Sequence, residues 1–314
     1  MANSPTTSIK TRFIVLSDTH GSPIPPSLQG RQADVVIHTG DLTEHSTLSE
    51  FKTTIESLRT IDAPVKLILA GNHDFSLDSP ALESKLAEAD RVAGGPVDRD
   101  LVAREFGNAG DARALLLEAR HRGITFLEEG NSSIRLDNGA LLRVYASPYT
   151  PCHDGSAGWA FQYQDRHDFD IDPATQIVMT HGPPHGIFDR SPDGKRLGCP
   201  ALFAAVARQQ PLMHCFGHVH GGWGAKVVAW KAPASDSPSH FTDIDHEQSV
   251  LIGSLARARG DPGAELGSGV RETSHCGGED EVVGQGKTLF VNASITGDEG
   301  SQLPWVVDLM VPSS

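Results

Sequence analysis

The chain has 314 residues, of which 38% are hydrophobic, and it carries a formal net charge of −14. An acidic chain without a stripe of lysine and arginine is a poor binder of nucleic-acid polymers or of an anionic membrane surface. No run approaches the roughly 18 apolar residues of a membrane span, so we expect a soluble globular protein.

The amino terminus and the cysteines indicate the compartment. Residues 1–11 are polar and lack the apolar stretch of a signal peptide. The four cysteines lie far apart and form no CxxC pair, which is typical of free thiols in a reducing compartment. We therefore predict a cytoplasmic protein with a flexible terminus over 1–11 and a single domain over 12–311.

The first third of the chain alternates strands with helices. Apolar runs predict strands at 12–17, 35–38 and 65–70, and the spacing of apolar residues predicts a helix at 47–58. This alternation is typical of a parallel sheet with covering helices. Residues 76–108 mix apolar and charged residues without a clear period. We interpret them as a surface excursion, either without regular structure or with a short helix.

The remainder predicts a second sheet. Helices are predicted at 111–122 and 200–208, and strands at 124–127, 132–136, 141–146, 177–179, 212–216, 225–230, 288–292 and 305–311. Asp137-Asn138-Gly139 is a strong hairpin signal. The last two strands are expected to close the second sheet. Residues 232–286 are rich in Ser, Pro, Gly, Asp and Glu, which indicates an inserted, mobile loop.

Short polar turns follow five of the predicted strands. Glycine allows the backbone to turn sharply where a strand ends, and α/β proteins place ligands at the carboxyl ends of their strands. We therefore expect the five turns to build one site: Asp18-Thr19-His20, Gly40-Asp41, Gly71-Asn72-His73-Asp74, His181-Gly182 and Gly217-His218-Val219-His220.

The chemistry of these turns indicates metal binding. They offer seven candidate ligands, too many for one ion but enough for two ions bridged by one aspartate: Asp18, His20, Asp41, Asn72, His181, His218 and His220. Imidazole with carboxylate suits manganese, iron, zinc or nickel, and no thiolate is present to build a structural zinc cage. Two ions about 3.5–4 Å apart can clamp a phosphoryl group.

Together these motifs resemble the calcineurin-like metallophosphoesterases. The resemblance extends to one branch, the metallophosphoesterase-domain-containing (UPF0046-type) phosphodiesterases. It rests also on Ser147-Pro148-Tyr149-Thr150-Pro151, Thr180-His181-Gly182-Pro183-Pro184, Gly198-Cys199 and Val291-Asn292-Ala293-Ser294. It covers residues 12–230 and 287–311 but not 232–286. It implies a four-layer α-β-β-α sandwich, an α/β fold in which two mixed sheets pack face to face between helices.

The resemblance also implies roles for the site residues. Asp18, His20 and His220 would bind the first metal with Asp41 bridging, and Asn72, His181 and His218 would complete the second. His73 would protonate the leaving group and Asp74 would orient it. A bridging hydroxide would attack phosphorus in line. The cofactor is then two divalent ions, with Mn²⁺ preferred over Fe, Zn, Ni or Co.

The expected substrate is a small phosphodiester such as a cyclic nucleotide. A phosphomonoester, a non-phosphate ester, and a catalytically weak nucleotide-binding protein remain alternatives. Some animal members of the branch carry Gly where this chain has His218 and are impaired as enzymes, so His218 favours activity. Aromatic residues at Tyr149, Trp159 and Phe161 either stack on a nucleobase or belong to the core.

Overall fold

The strands and helices follow the expected alternation. The computed structural model describes residues 7–153, 158–259, 269–278, 280–282, 286–297 and 301–313. The strands are β1 (Ser8–Leu16), β2 (Val35–His38), β3 (Val65–Ile68), β4 (Ile124–Phe126), β5 (Gly130–Arg135), β6 (Leu141–Ser147), β7 (Thr150–Pro151), β8 (Gln162–Tyr163), β9 (Ile177–Thr180), β10 (Met213–Phe216), β11 (Gly224–Trp230), β12 (Ile244–Ser254), β13 (Arg271–Ser274), β14 (Lys287–Asn292) and β15 (Trp305–Pro312). The α-helices are α1 (Leu48–Arg59), α2 (Ser79–Ala93), α3 (Arg99–Phe106), α4 (Asp111–Glu118), α5 (Pro200–Gln209) and α6 (Leu255–Arg259).

Two large mixed sheets carry the fold. The first has six strands in the order β13-β15-β1-β2-β3-β4, and the second has seven in the order β12-β11-β14-β10-β9-β6-β5. In the first sheet β1 to β4 are parallel and β15 is antiparallel to β1. In the second, β6, β9, β10 and β14 are parallel neighbours. Successive strand ends therefore meet at one edge of each sheet.

The sheets pack face to face because strand residues alternate between two apolar faces. In β1, Phe13 and Val15 join the core shared with the second sheet. Ile14 and Leu16 face the opposite way, onto α1 and α4. The outer face of the second sheet packs against α5 in the same manner. The predicted four-layer α-β-β-α arrangement is thus confirmed.

The excursion at 76–108 is more helical than the sequence predicts. It contains α2, with 15 residues, and α3, with eight. Asp78 caps α2 by accepting a hydrogen bond from the amide of Ala81, and Gly94 ends it in a left-handed conformation. None of the residues of α2 is buried, so the helix shows no apolar stripe by which periodicity would find it.

The predicted loop at 232–286 contains two strands and a short helix where the structure describes it. It contributes β12 to the edge of the second sheet, antiparallel to β11, and β13 to the edge of the first, parallel to β15. Most of β12 is exposed or half-buried, so an edge strand of this kind needs few apolar residues. Residues 260–268, 279 and 283–285 of the predicted loop lie outside the described residues.

Both ends of the chain differ from expectation in one respect each. β1 begins at Ser8, so residues 8–11 of the predicted flexible terminus form a strand, and residues 1–6 lie outside the described residues. β15 pairs with β1 in the first sheet rather than closing the second. Within the described residues, no helix has the length and apolar character that crossing a bilayer requires.

Candidate metal centre

The predicted turns meet where the carboxyl ends of the two sheets face each other. Main-chain hydrogen bonds join neighbouring turns directly. The amide of Asp18 donates to the carbonyl of Gly40 at 3.0 Å, and that of Gly217 donates to the carbonyl of His181 at 2.9 Å. The amide of His218 donates to the carboxylate of Asp18 at 3.0 Å. The two sheets therefore share one polar site.

Four candidate ligands lie in the left-handed backbone region. The φ angles are 56° at Asp18, 47° at His20, 52° at Asp41 and 65° at His218. This conformation costs on the order of 1–3 kcal/mol for residues other than glycine, and such residues cluster at functional sites. The turns therefore hold these side chains in an orientation that a relaxed strand end would not give.

Two glycines leave room for the carboxylates. A Cβ atom at Gly71 would lie 2.2 Å from the Oδ1 atom of Asp41, and one at Gly217 would lie 2.0 Å from the Oδ2 atom of Asp18. Any side chain at these positions would displace a candidate ligand. The glycines of the turn motifs thus serve close packing around the site, in addition to the change of chain direction.

Three groups of donor atoms come within 4.8 Å of one another. Asp18, His20 and His220 form the first donor cluster. Asp41, His181 and His218 form the second, which Asn72 joins because its Oδ1 atom lies 2.8 Å from Nε2 of His181 and 2.7 Å from Nδ1 of His218. All seven predicted ligands are therefore brought together. The third group, His20, Asp41 and His73, was not predicted.

The carboxylate of Asp41 lies between the two clusters. Its Oδ1 atom is 3.4 Å from Nε2 of His181, and its Oδ2 atom is 3.7 Å from Nε2 of His20. One oxygen thus faces each cluster. This is the arrangement that a carboxylate shared by two cations requires.

The hydrogen bonds of His181 show that the site fits a cation. Its Nδ1 atom lies 2.9 Å from the carbonyl oxygen of Thr39, which can only accept, so Nδ1 carries the hydrogen. The lone pair on Nε2 of the neutral ring then faces oxygen atoms of Asn72 and Asp41. A proton or a metal ion on Nε2 makes that contact favourable. Metal-binding histidines have such an outer acceptor.

Glu44 brings a carboxylate close to His20, and the sequence did not reveal it. The Oε2 atom of Glu44 lies 2.9 Å from Nδ1 of His20, and Nε2 of His20 lies 3.3 Å from Nε2 of His220. Glu44 follows Asp41 by three residues, but no recurring pattern distinguishes it from other surface glutamates.

The two buried carboxylates set the electrostatics of the site. Burial lowers the pKa of His181, but Asp41 and Asp18 outweigh burial and raise it to about 9. Burial likewise acts to raise the pKa of Asp18, yet His220 and the other histidines hold it below its usual range. The pKa of His218 falls to about 3 because of burial and the neighbouring charge of His181.

The structure corrects the expected partnership of His73 and Asp74. The Asp74 carboxylate accepts hydrogen bonds from the amides of Leu42, Thr43 and Gly71. It thereby fixes the turn that bears Asp41 instead of contacting the imidazole of His73. Burial, with the charge of Asp41, raises the pKa of Asp74 to about 7.

His73 is oriented by other groups. Its amide donates to Oδ1 of Asp41 at 2.8 Å, and its Nδ1 atom lies 3.0 Å from the carbonyl oxygen of Glu44. The ring meets the edge of His20 at a centroid distance of 4.6 Å and packs on Trp159 at 4.4 Å. Trp159 is 42% exposed, so it lines the rim of the site. Tyr149 stacks on His167 instead.

Comparison with known proteins places this geometry in a family. The profile of the calcineurin-like phosphoesterases matches residues 11–222, a range that contains all the candidate ligands. The chain belongs to the calcineurin-like phosphoesterase family. This is a family of metal-dependent phosphoesterases.

Several curated proteins are similar to this family member. Human metallophosphoesterase domain-containing protein 1 is 32% identical over 222 residues, which are 68% of this chain and 62% of the relative. UPF0046 protein T07D4.2 of Caenorhabditis elegans is 27% identical over 233 residues, covering 68% of this chain and 52% of the relative. The predicted branch is therefore confirmed.

A third relative shows that the matched region also occurs within a longer protein. The probable rhamnogalacturonate lyase C of Emericella nidulans is 32% identical over 231 residues, covering 72% of this chain but 18% of the relative. The match spans less than two thirds of the length of each of these three relatives.

Proposed function

We propose that this protein is a metal-dependent phosphoesterase that hydrolyses small phosphodiesters, such as cyclic nucleotides, with two divalent ions. The observation that carries the proposal is the meeting of two donor clusters on the carboxylate of Asp41, with His73 beside them. The bound ions supply Lewis acidity, which activates water and neutralises phosphoryl oxygens.

The residues of the chain divide the remaining work. Asp18, His20 and His220 would hold one ion, and Asn72, His181 and His218 would hold the other, with Asp41 available to both. Oxygen and imidazole donors accept manganese, iron, zinc, nickel and cobalt, and we propose manganese. Asp74 acts as a positioning residue, because its hydrogen bonds fix the turn that carries Asp41.

His73 is proposed to protonate the leaving group. Because its Nδ1 atom faces the carbonyl of Glu44, Nε2 is the atom that can give up a proton. When the bond between phosphorus and the leaving oxygen breaks, that oxygen takes the proton from Nε2, and the alcohol departs uncharged. The contacts with His20 and Trp159 restrict the ring to one orientation.

We propose a diester over a monoester because a phosphomonoester brings one more negative charge to a site that already holds the carboxylates of Asp18 and Asp41.

We also propose a reducing compartment such as the cytoplasm, because the buried Cys199 and Cys215 are free thiols.

The first test compares two esters on metal-free protein reloaded with manganese. We expect bis-p-nitrophenyl phosphate to be cleaved faster than p-nitrophenyl phosphate. Faster cleavage of the monoester would reassign the protein as a phosphatase. Binding of two ions per chain without cleavage of either ester would contradict the proposed activity.

The second test separates the role of His73 from metal binding. We expect His73→Ala to retain two ions per chain and to lose about 10²- to 10⁴-fold in turnover, the range for general acid catalysis. The loss should grow when p-nitrophenolate is replaced by the poorer leaving group phenolate. The exposed His121→Ala serves as the control. Loss of an ion in His73→Ala would make His73 a ligand instead.

A further inference from the structure

The surface helix α2 reaches the candidate metal centre through one side chain. None of the residues of α2 is buried, so the burial of apolar side chains does not account for its position. Lys85, in the middle of the helix, is half-buried. Its Nζ atom lies over the indole of Trp159, 4.4 Å from the ring centroid. The same atom lies 4.8 Å from the ring centroid of Phe75, so Lys85 contacts two aromatic rings.

The environment of Lys85 strengthens these contacts. Burial lowers the pKa of Lys85 and outweighs the charge of Glu88, which acts to raise it. An ammonium group that has lost part of its water is attracted more strongly to the electron-rich face of an aromatic ring, and tryptophan is the best such partner. The contact with Trp159 therefore compensates for hydration that burial has removed.

Trp159 connects Lys85 with His73. Its indole packs on the imidazole at a centroid distance of 4.4 Å and an interplanar angle of 33°. The main chain that follows is anchored, because the amide of Ala160 donates to the carbonyl of Asn72 at 3.2 Å. Trp159 itself is 42% exposed, so the protein core does not fix the orientation of its side chain. The ammonium of Lys85 is a group that can hold the indole against His73.

We propose that Lys85 is a positioning residue for His73 and acts through Trp159. The ammonium holds the indole in place, and the indole keeps the imidazole in the orientation in which Nε2 faces the leaving oxygen. This inference rests on the proposed function, in which His73 protonates the leaving group. It gives α2 a role in turnover, although none of the candidate ligands lies on this helix.

The first test uses tryptophan fluorescence and requires no activity. The other three tryptophans are at most 8% exposed: Trp223, Trp230 and Trp305. Acrylamide dissolved in water therefore quenches mainly the fluorescence of Trp159. We expect Lys85→Met to raise the quenching constant by up to about twofold, since 42% of Trp159 is already exposed. Lys85→Arg should restore the wild-type value, because guanidinium also binds aromatic faces. Lys52→Met, at an exposed position on α1, is the matched control.

The second test measures turnover of diesters. Lys85→Met should retain two ions per chain and lose about 2- to 10-fold in kcat, and Trp159→Ala about 10- to 100-fold. Each loss should be larger for diphenyl phosphate than for bis-p-nitrophenyl phosphate, because the poorer leaving group depends more on protonation. In the His73→Ala background, Lys85→Met should have no further effect. A structural role alone would lower turnover of both esters equally and would add to the loss in His73→Ala.

The outcomes separate this inference from the proposed function. If His73→Ala retains full turnover, or if neither ester is cleaved, the proposed function fails and the inference fails with it. If His73→Ala lowers turnover but Lys85→Met changes neither quenching nor turnover, Lys85 does not position His73. A further loss when Lys85→Met is added to His73→Ala would also overturn the inference, because Lys85 would then act independently of His73.

Discussion

The two donor clusters share Asp41 but differ in how far water reaches them. In the second cluster the imidazole of His181 is fully buried, and the main-chain carbonyl of Thr39 orients it. In the first cluster His220 leaves 27% of its side chain exposed, and the carboxylate that faces His20 belongs to Glu44, whose side chain is 45% exposed.

This difference in exposure should make the two donor clusters differ in how firmly they retain a metal ion. A main-chain carbonyl held by the fold cannot rotate away, whereas an exposed carboxylate on a flexible side chain must be ordered first. Desolvation also strengthens the attraction between a cation and its ligands. If each cluster binds an ion, the second cluster would retain its ion more firmly, and the first cluster, beside the open rim, would exchange its ion more readily.

The largest effect should come from the residue that joins the halves. Asp41→Asn removes the negative charge that faces both His20 and His181. Loss of an outer partner of a metal ligand typically costs up to about 100-fold in activity. Asp41 is itself a proposed ligand, so we expect diester turnover to fall by more than this. Metal analysis should show fewer than two ions per chain, and the surface variant Asp168→Asn should retain both. Two firmly held ions in Asp41→Asn would mean that the clusters do not depend on each other.

A paired substitution tests the inferred difference in metal retention. With increasing chelator, the wild-type protein should lose one ion before the other. His220→Asn should lack the ion that leaves first, and His181→Asn the ion that leaves last. Mass-spectrometric metal analysis at each chelator concentration gives the result. If each variant loses both ions together, the halves bind as one cooperative unit and the distinction fails.

A smaller effect is expected where the first cluster is supported from outside. Glu44→Gln keeps the main-chain carbonyl that contacts His73 but removes the charge that faces His20. We expect metal affinity to fall about 10- to 100-fold at the first cluster only. Glu88→Gln, at an exposed position on α2, is the matched control. Unchanged affinity in Glu44→Gln would show that Glu44 does not orient His20.

Local sequence located the turns that meet at the site, because each turn depends on neighbouring residues. An apolar run followed by glycine and polar side chains fixes both the strand end and the exposed donors, as in Gly71-Asn72 and Gly217-His218. The left-handed conformations of Asp18 and His218 were not foreseen, since non-glycine residues seldom adopt them. They depend on hydrogen bonds between turns that are distant in the sequence.

Features that depend on distant partners escaped sequence reasoning. Asp74 follows His73 directly, yet its carboxylate binds amides more than 30 residues away in the turn that carries Asp41. β12 lies in a polar stretch at the edge of the second sheet, where β11 is its one partner among the described strands. A strand in this position needs few apolar residues, so the apolar pattern did not predict it. Exposed surfaces such as α2 give no apolar periodicity to read.

The smallest effect on the site should come from a charge pair that stabilises the frame alone. Arg12 on β1 donates two hydrogen bonds to the carboxylate of Asp308 on β15, at 2.8 and 3.0 Å. These bonds, with those of Lys10, hold the pKa of Asp308 below its usual range. A depressed carboxyl pKa adds stability above about pH 4, and this contribution is lost as the pH falls through the folded-state value. Asp308→Asn should therefore lower the free energy of unfolding by about 1–2 kcal/mol at pH 7, with a smaller difference at pH 3. Urea unfolding at both pH values measures this. Metal content and diester turnover should be unchanged, because the pair lies in β1 and β15, away from the turns that carry the candidate ligands. Loss of either ion in Asp308→Asn would show that this strand pair and the donor clusters are energetically coupled.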